Sequence, residues 1–120
     1  MSGPIDDAVF ANLVVMTGGE MDFVDELVDT FLDDGRNQLA AMRAAAAGDD
    51  LATLTRAAHS MKSGSLNVGA LELGEVCRAL EEAGRSGAVS DAETRIATID
   101  AAFTAAAAAL LDERGRRAGG

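Results

Sequence analysis

The sequence contains no Trp or Tyr, one proline and one cysteine, and these absences exclude several kinds of protein. With Cys77 alone no intramolecular disulfide can form, so a reducing compartment is expected. The apolar pattern around Cys77 predicts a buried small side chain rather than a reactive thiol. The first residues do not resemble a signal peptide, and no apolar run predicts a membrane-spanning helix. The sequence therefore predicts a cytoplasmic protein.

Basic residues are also scarce, with 10 Lys and Arg against 20 Asp and Glu and a net charge of −10. Such a surface repels the phosphate backbone of nucleic acids and the headgroups of anionic membranes. We therefore expect neither nucleic acid nor membrane as a partner, and we interpret the acidity mainly as a source of solubility.

Signals for β-strands are lacking, and alanine supplies much of the hydrophobic fraction of 48%. The 120 residues suffice for one domain with a single core. Short connections between helices favour antiparallel neighbours, so we predict an all-α, up-and-down four-helix bundle with a short additional N-terminal helix. Glycines and capping residues place the helices at 5–16, 20–47, 51–68, 70–83 and 91–112, with a turn at 84–87 and a frayed tail at 115–120.

The second predicted helix is the longest, and its apolar residues recur at helical intervals. They are predicted to face the core: Val24, Leu27, Phe31, Leu39, Met42 and Ala46.

The only histidine, His59, lies in the third predicted helix. At about 100° per residue, the apolar residues of this helix fall within an arc of roughly 80°, and His59 lies about 130° from its centre. His59 is therefore expected to project towards solvent. Exposure alone leaves two interpretations open, an incidental surface residue or a functional one.

The residues around His59 favour a functional interpretation. Lys62, the only lysine, lies at i+3 and shares a helix face with the histidine. Ser63 and Gly64 keep the neighbouring surface low, and a glycine here costs about 0.8–1 kcal/mol relative to alanine. Leu66, at i+7, adds an apolar side chain on the same side, which suits either an edge of the bundle or a docking surface.

The segment 57–70, AAHSMKSGSLNVGA, resembles the motif of histidine-containing phosphotransfer (HPt) domains, usually written H-x-L-K-G-S-S-x-x-L-G-A. VDTFLDD at 28–34, AGD at 47–49 and CRALE at 77–81 resemble the corresponding family helices, so the similarity spans nearly the whole chain. The chain departs from the motif at four positions. Met61 and Val68 are conservative apolar replacements, whereas Ser63 stands where glycine is frequent and Gly64 where serine is frequent. A small hydroxyl side chain is expected to be tolerated there.

The resemblance implies that His59 accepts and donates a phosphoryl group and that Lys62 helps to balance its charge. Glu81, 22 residues after His59, matches a family position that commonly holds a carboxylate or amide bonded to the imidazole. Ser63, Gly64 and the apolar side chain at position 66 would form the docking surface. The implied partners are the receiver domains of response regulators and a hybrid sensor histidine kinase.

The implied protein is a monomeric phosphocarrier rather than an enzyme. The sequence contains no Walker motif or phosphate-binding glycine loop, so we expect no ATP binding, no cofactor and no metal of its own. The initiating methionine favours a free-standing protein over a piece of a larger kinase.

One alternative function remains open, and two others are disfavoured by the residues. A non-phosphorylated interaction module would dock receiver domains or other signalling proteins through the same fold. A metal- or cofactor-binding bundle would need more ligands than one histidine and one cysteine. A hydrolase would need an oxyanion hole and a substrate pocket, which serines on the same exposed helix as His59 do not provide.

Overall fold

The computed structural model describes residues 3–119, and the side chains of residues 3–115. Over this range the chain forms five helices and no strand: α1 (Asp7–Met16), α2 (Met21–Ala47), α3 (Leu51–Val68), α4 (Leu71–Arg85) and α5 (Ala92–Gly119). Each of the four long helices, α2 to α5, packs against the next one along the chain, and α5 also packs against α2, which closes the bundle. The short helix α1 lies against α2 and α3. This arrangement confirms the predicted all-α four-helix bundle with an additional N-terminal helix.

The helix that contains His59 is fixed at both ends. At its start the Asp50 carboxylate accepts a hydrogen bond from the backbone N–H of Thr53 at 3.1 Å. At its end Gly69 adopts a left-handed conformation with φ of 86°, which costs glycine little. The backbone N–H of Asp6 donates to the Gly69 carbonyl at 2.7 Å, so the segment before α1 is tied to the end of α3.

Several helix bounds differ from those predicted. α1 begins at Asp7 rather than at residue 5, because the Asp6 carboxylate caps it by accepting from the backbone N–H of Val9 at 3.0 Å. α4 continues to Arg85, through part of the predicted turn at 84–87. α5 continues to Gly119, where a frayed tail was expected at 115–120, since the arginines and alanine there favour helix. Position 120 lies outside the described residues.

The core lies between the four long helices, and α2 meets α5 through a close aromatic contact. The rings of Phe31 and Phe103 lie 5.6 Å apart, centroid to centroid. A Cβ on Gly35 would lie 2.1 Å from Cε1 of Phe103, so only glycine leaves room for that ring. Leu27, predicted to face the core, is instead 40% exposed. It lies at the rim of the junction of α1, α2 and α3, beside Leu13.

By length and composition alone, residues 92–115 of α5 are apolar enough to cross a membrane, contrary to the expectation from the sequence. Four large apolar side chains of this helix nevertheless pack in the bundle: Ile96, Ile99, Phe103 and Leu110 are buried, whereas Leu111 is exposed. One face of α5 thus packs in the bundle, and a single helix of this length and composition is weak evidence for a membrane segment.

Candidate functional site

His59 lies in the middle of α3 with its side chain 52% exposed. Its near neighbours on the inner face of α3 are buried: Ala57, Ala58 and Met61. The helical phase therefore directs the imidazole outwards from a well-packed helix, as the sequence predicts.

A buried carboxylate from the next helix holds the imidazole. Glu81 of α4 is only 1% exposed, and its Oε2 lies 2.8 Å from Nδ1 of His59. An ionised carboxylate can only accept a hydrogen bond, so a neutral imidazole in this contact has its proton on Nδ1. The lone pair of Nε2 is then free on the opposite edge of the ring, which is the condition for a nucleophile.

Two cations share the same carboxylate with the histidine. Nζ of Lys62 lies 2.6 Å from Oε1 of Glu81, and Nη2 of Arg85 lies 2.5 Å from Oε2. The hydrogen bond from Lys62, together with those of His59 and the charge of Arg85, holds the pKa of the Glu81 carboxyl below its ordinary value, although burial opposes this shift. Glu81 is therefore ionised near neutral pH.

The sequence did not predict Arg85 as a site residue, nor the burial of Glu81. Residues 84–87 were predicted to form a turn, which would have carried Arg85 away from the helix. The spacing of Glu81 and Arg85, i and i+4, was the available signal, because such pairs face each other on a continuous helix. Lys62 was predicted to be a cation close to His59, and it is in addition an ion-pair partner of Glu81.

A glycine allows α3 and α4 to approach closely at the site. A Cβ on Gly84 would lie 2.0 Å from Oγ1 of Thr55, so an alanine at this position does not fit the present packing. Gly84 therefore belongs to α4 as a packing residue rather than to a turn. The close approach brings Glu81 within hydrogen-bonding distance of the imidazole on the neighbouring helix.

The three residues predicted to form a docking surface lie on two sides of α3. Ser63 is exposed, and Gly64 is half-buried with room for a Cβ 3.7 Å from Phe31. Leu66 is 45% exposed and leans on α4, where a Cβ on Gly74 would lie 2.8 Å from its Cδ2. Leu66 therefore occupies an edge of the bundle and still presents apolar surface to solvent.

A second apolar surface, which the sequence did not predict, lies on the other side of Gly64. It is a shallow groove between α1, α2 and α3, and its apolar lining consists of Leu13, Leu27, Phe31, Met61 and Val68. Ser60, the residue after His59, also lines it. The exposed histidine is thus followed along α3 by a low, partly apolar surface.

Across the described residues, no group of three or more His, Cys, Asp or Glu side chains is placed to hold a metal ion. Cys77 is buried in the core, and burial raises the pKa of its thiol to about 12. The arrangement around His59 instead combines an exposed imidazole with an oriented tautomer and adjacent cations, which suits the reversible binding of an anionic group.

Comparisons with known proteins agree with this geometry. The family model of the Hpt domain matches residues 26–109. The crystal structure of histidine-containing phosphotransfer protein B (HptB) from Pseudomonas aeruginosa PAO1 superimposes with a TM-score of 0.89 at 33% sequence identity, over 97% of this chain and 98% of that chain. The search of curated proteins gives no match.

Proposed function

The chain belongs to the Hpt domain family of histidine-containing phosphotransfer proteins, which act in phosphorelays, and we propose that His59 is its phosphoacceptor. The observation that supports this assignment is the 2.8 Å contact between Nδ1 of His59 and buried Glu81, with the imidazole half exposed on α3. The contact orients the ring and leaves Nε2 available for attack on phosphorus.

In the proposed transfer, the lone pair of Nε2 attacks the phosphorus of an aspartyl phosphate on a receiver domain. The bond between phosphorus and the aspartate oxygen breaks, and the carboxylate leaves with the electron pair. The ring keeps its Nδ1 proton and becomes formally cationic, and the negative charge of Glu81 stabilises it. In the onward step a second receiver carboxylate attacks the phosphorus, the N–P bond breaks, and Nε2 regains its lone pair.

Glu81 in this proposal does more than orient the ring. It anchors Lys62 and Arg85 within reach of the imidazole, so the dianionic phosphoryl group meets organised cations. Because the site is open to solvent, the charge balance from Lys62 is worth about 1 kcal/mol or less. Loss of Lys62 should therefore slow transfer without abolishing it.

The proposed partners are response-regulator receiver domains and a hybrid sensor histidine kinase. They would dock over Ser63, Gly64 and Leu66 and along the groove between α1, α2 and α3. A receiver would supply the acceptor aspartate and the metal ion that phosphoryl transfer uses. The chain itself would act as a monomeric, cytoplasmic phosphocarrier without ATP binding or turnover of its own.

The test is transfer of acid-labile label from a phosphorylated receiver to the wild-type chain and to His59→Gln. We expect label on the wild type and none on the variant. Full transfer to the variant would exclude His59 as the acceptor. Binding of receivers without any label transfer to the wild type would instead identify a non-phosphorylated interaction module. A transfer profile across purified receivers would then identify the cognate partners and the direction of flow.

A further inference from the structure

We propose that Arg56 and Arg85 form a phosphoryl-binding pair beside His59 and that this pair, more than Lys62, holds the anionic group while it is on the imidazole. The inference rests on the proposed role of His59 as phosphoacceptor. It assigns the binding of the anion to a groove between α3 and α4 that neither the sequence motif nor the Glu81 contact identifies.

The groove lies directly beside the imidazole and has a volume of about 660 Å³. Arg56, His59, Glu81 and Arg85 line it, whereas Lys62 does not. The remainder of its wall is formed by small or apolar residues: Leu51, Ala52, Thr55 and Gly84. Two arginine residues therefore line an open, weakly polar space next to the proposed phosphoacceptor.

The groove lies on the N-terminal side of the imidazole. Side chains on a helix lean towards its N-terminus, so the ring of His59 covers the preceding turn. Thr55 and Arg56, at i−4 and i−3, belong to that turn, and both line the groove. Lys62, at i+3, leans back towards His59 but is held by Glu81 and does not line the groove.

The three cations near His59 also differ in how far they are committed to other partners. Lys62 is 23% exposed and is bound to Oε1 of Glu81, the oxygen that does not contact the imidazole. Arg85 is 65% exposed and binds the same oxygen as Nδ1 of His59. Arg56 makes no ion pair with any described residue and is exposed.

Guanidinium chemistry suits this task. Each arginine has five N–H donors in a planar fork that matches the oxygens of a phosphoryl group, so Arg85 can keep its bond to Glu81 and still donate to a second anion. Arg56 makes no ion pair within the described part of the chain, although its charge interacts with that of Asp50 at the start of α3. In a chain with a net charge of −10, this cluster of Arg56, Lys62 and Arg85 is a local concentration of cations.

The experiment uses phosphoramidate, a small donor that needs no protein partner. Nε2 of neutral His59 attacks its phosphorus, the P–N bond breaks, and ammonia leaves with the electron pair, while the ring retains its Nδ1 proton. The initial rate of His59 phosphorylation is measured for Arg56→Gln, Arg85→Gln and the double variant. Arg95→Gln serves as the control, because Arg95 lies on α5, a helix that does not contact α3, and pairs with Asp91 just before that helix.

Each single glutamine variant should slow phosphorylation by about two- to fivefold and the double variant by about tenfold, since exposed charge pairs contribute up to about 1 kcal/mol each. Arg56→Lys and Arg85→Lys should recover only part of the rate, because they retain the charge but lose the planar fork of donors. The Arg95→Gln rate should equal that of the wild type. Urea unfolding midpoints should not change for Arg56→Gln, whose side chain is exposed and unpaired.

Wild-type rates for both glutamine variants would overturn the proposal, as would an equal loss in Arg95→Gln. Slowing in Arg85→Gln but not in Arg56→Gln would also overturn it, because Arg85 would then act only through Glu81. Failure of the proposed function is distinguishable. Suppose that phosphoramidate labels His59 in an arginine-dependent manner but no receiver exchanges label with it. The proposed arginine pair then stands, and the proposed exchange of phosphoryl groups with receivers is excluded.

Discussion

At two interfaces of the bundle a glycine lets neighbouring helices approach closely, but the two close approaches have different consequences. Across the interface of α2 and α5, Gly35 leaves room for the ring of Phe103. Across the interface of α3 and α4, Gly84 leaves room for Thr55. The first close approach buries an aromatic contact, whereas the second brings a buried carboxylate, Glu81, against an exposed imidazole.

The difference lies in where each interface places its charges. Between α2 and α5 the ion pair of Arg43 and Asp100 is solvent-exposed on both sides and worth little. Between α3 and α4 a carboxylate with 1% exposure is removed from water, which costs several kcal/mol before its partners compensate. Apolar residues would stabilise the α3–α4 interface at least as well. The presence of Glu81 there is thus better explained by the orientation of His59 than by stability.

Among the substitutions that distinguish the two interfaces, removing the charge of Glu81 should have the largest effect on phosphoryl transfer. Glu81→Gln should lower the rate of phosphoryl transfer to His59 by about 10- to 100-fold, by analogy with the loss of carboxylates that orient metal-binding imidazoles. The amide can still accept a hydrogen bond, but it no longer offers a negative charge to the ring or to Lys62. Transfer rates from a phosphorylated receiver provide the measurement.

Glu82→Gln is the matched control for this prediction. Glu82 is adjacent on α4, has an exposed side chain and pairs with Arg78 away from the imidazole. Its transfer rate should remain within about twofold of the wild type, since exposed pairs contribute less than about 1 kcal/mol. Equal losses in the two variants would show that the overall charge of α4, rather than the Glu81 contact, determines the rate.

Substitution of the two glycines tests whether the interfaces have separate roles. Gly35→Ala and Gly84→Ala should each lower the free energy of unfolding by about 1–3 kcal/mol, because the new methyl groups collide with Phe103 and Thr55. Folded Gly35→Ala should transfer phosphoryl groups at the wild-type rate. Folded Gly84→Ala should transfer more slowly, because a shift of α4 moves Glu81 away from the imidazole.

The control for steric effects is Gly115→Ala on α5, where nothing lies within 4 Å of the new methyl group. This variant should be neutral or stabilised by up to about 1 kcal/mol, because alanine favours helix over glycine. Urea denaturation measures the free energy of unfolding of all three glycine variants. Wild-type stability of Gly35→Ala, or wild-type transfer by Gly84→Ala, would contradict the division of roles between the interfaces.

The sequence predicts the fold and the helix that holds the histidine because their signals are local. Asp50 and Gly69 mark the two ends of α3, and its observed bounds coincide with the predicted 51–68. The phase of the apolar residues then predicts the exposure of His59. These inferences need only helical periodicity and capping preferences.

The parts of the site that the sequence did not predict depend on contacts between helices. Gly84 is ambiguous in sequence, since a glycine marks either a turn or a close approach, and only its contact with Thr55 distinguishes the two. The burial of Glu81 and the position of Arg85 follow from that approach. Leu27 was wrong as a core residue for a similar reason, because α1 leaves this part of α2 uncovered.

Acidification should have the smallest effect, a loss of folding free energy that comes from the α3–α4 interface through Glu81. The folded-state pKa of Glu81 lies below the ordinary value of 4.5, chiefly because of Lys62. Its ionised form therefore stabilises the folded protein above about pH 4.5, and this stabilisation is lost as the pH falls through the lowered pKa. The free energy of unfolding, followed by urea denaturation between pH 6 and pH 3, should consequently fall further for the wild type than for Glu81→Gln. The Glu82→Gln control should retain the full acid sensitivity of the wild type, and identical curves for the wild type and Glu81→Gln would show that the buried carboxylate contributes no pH-dependent stability.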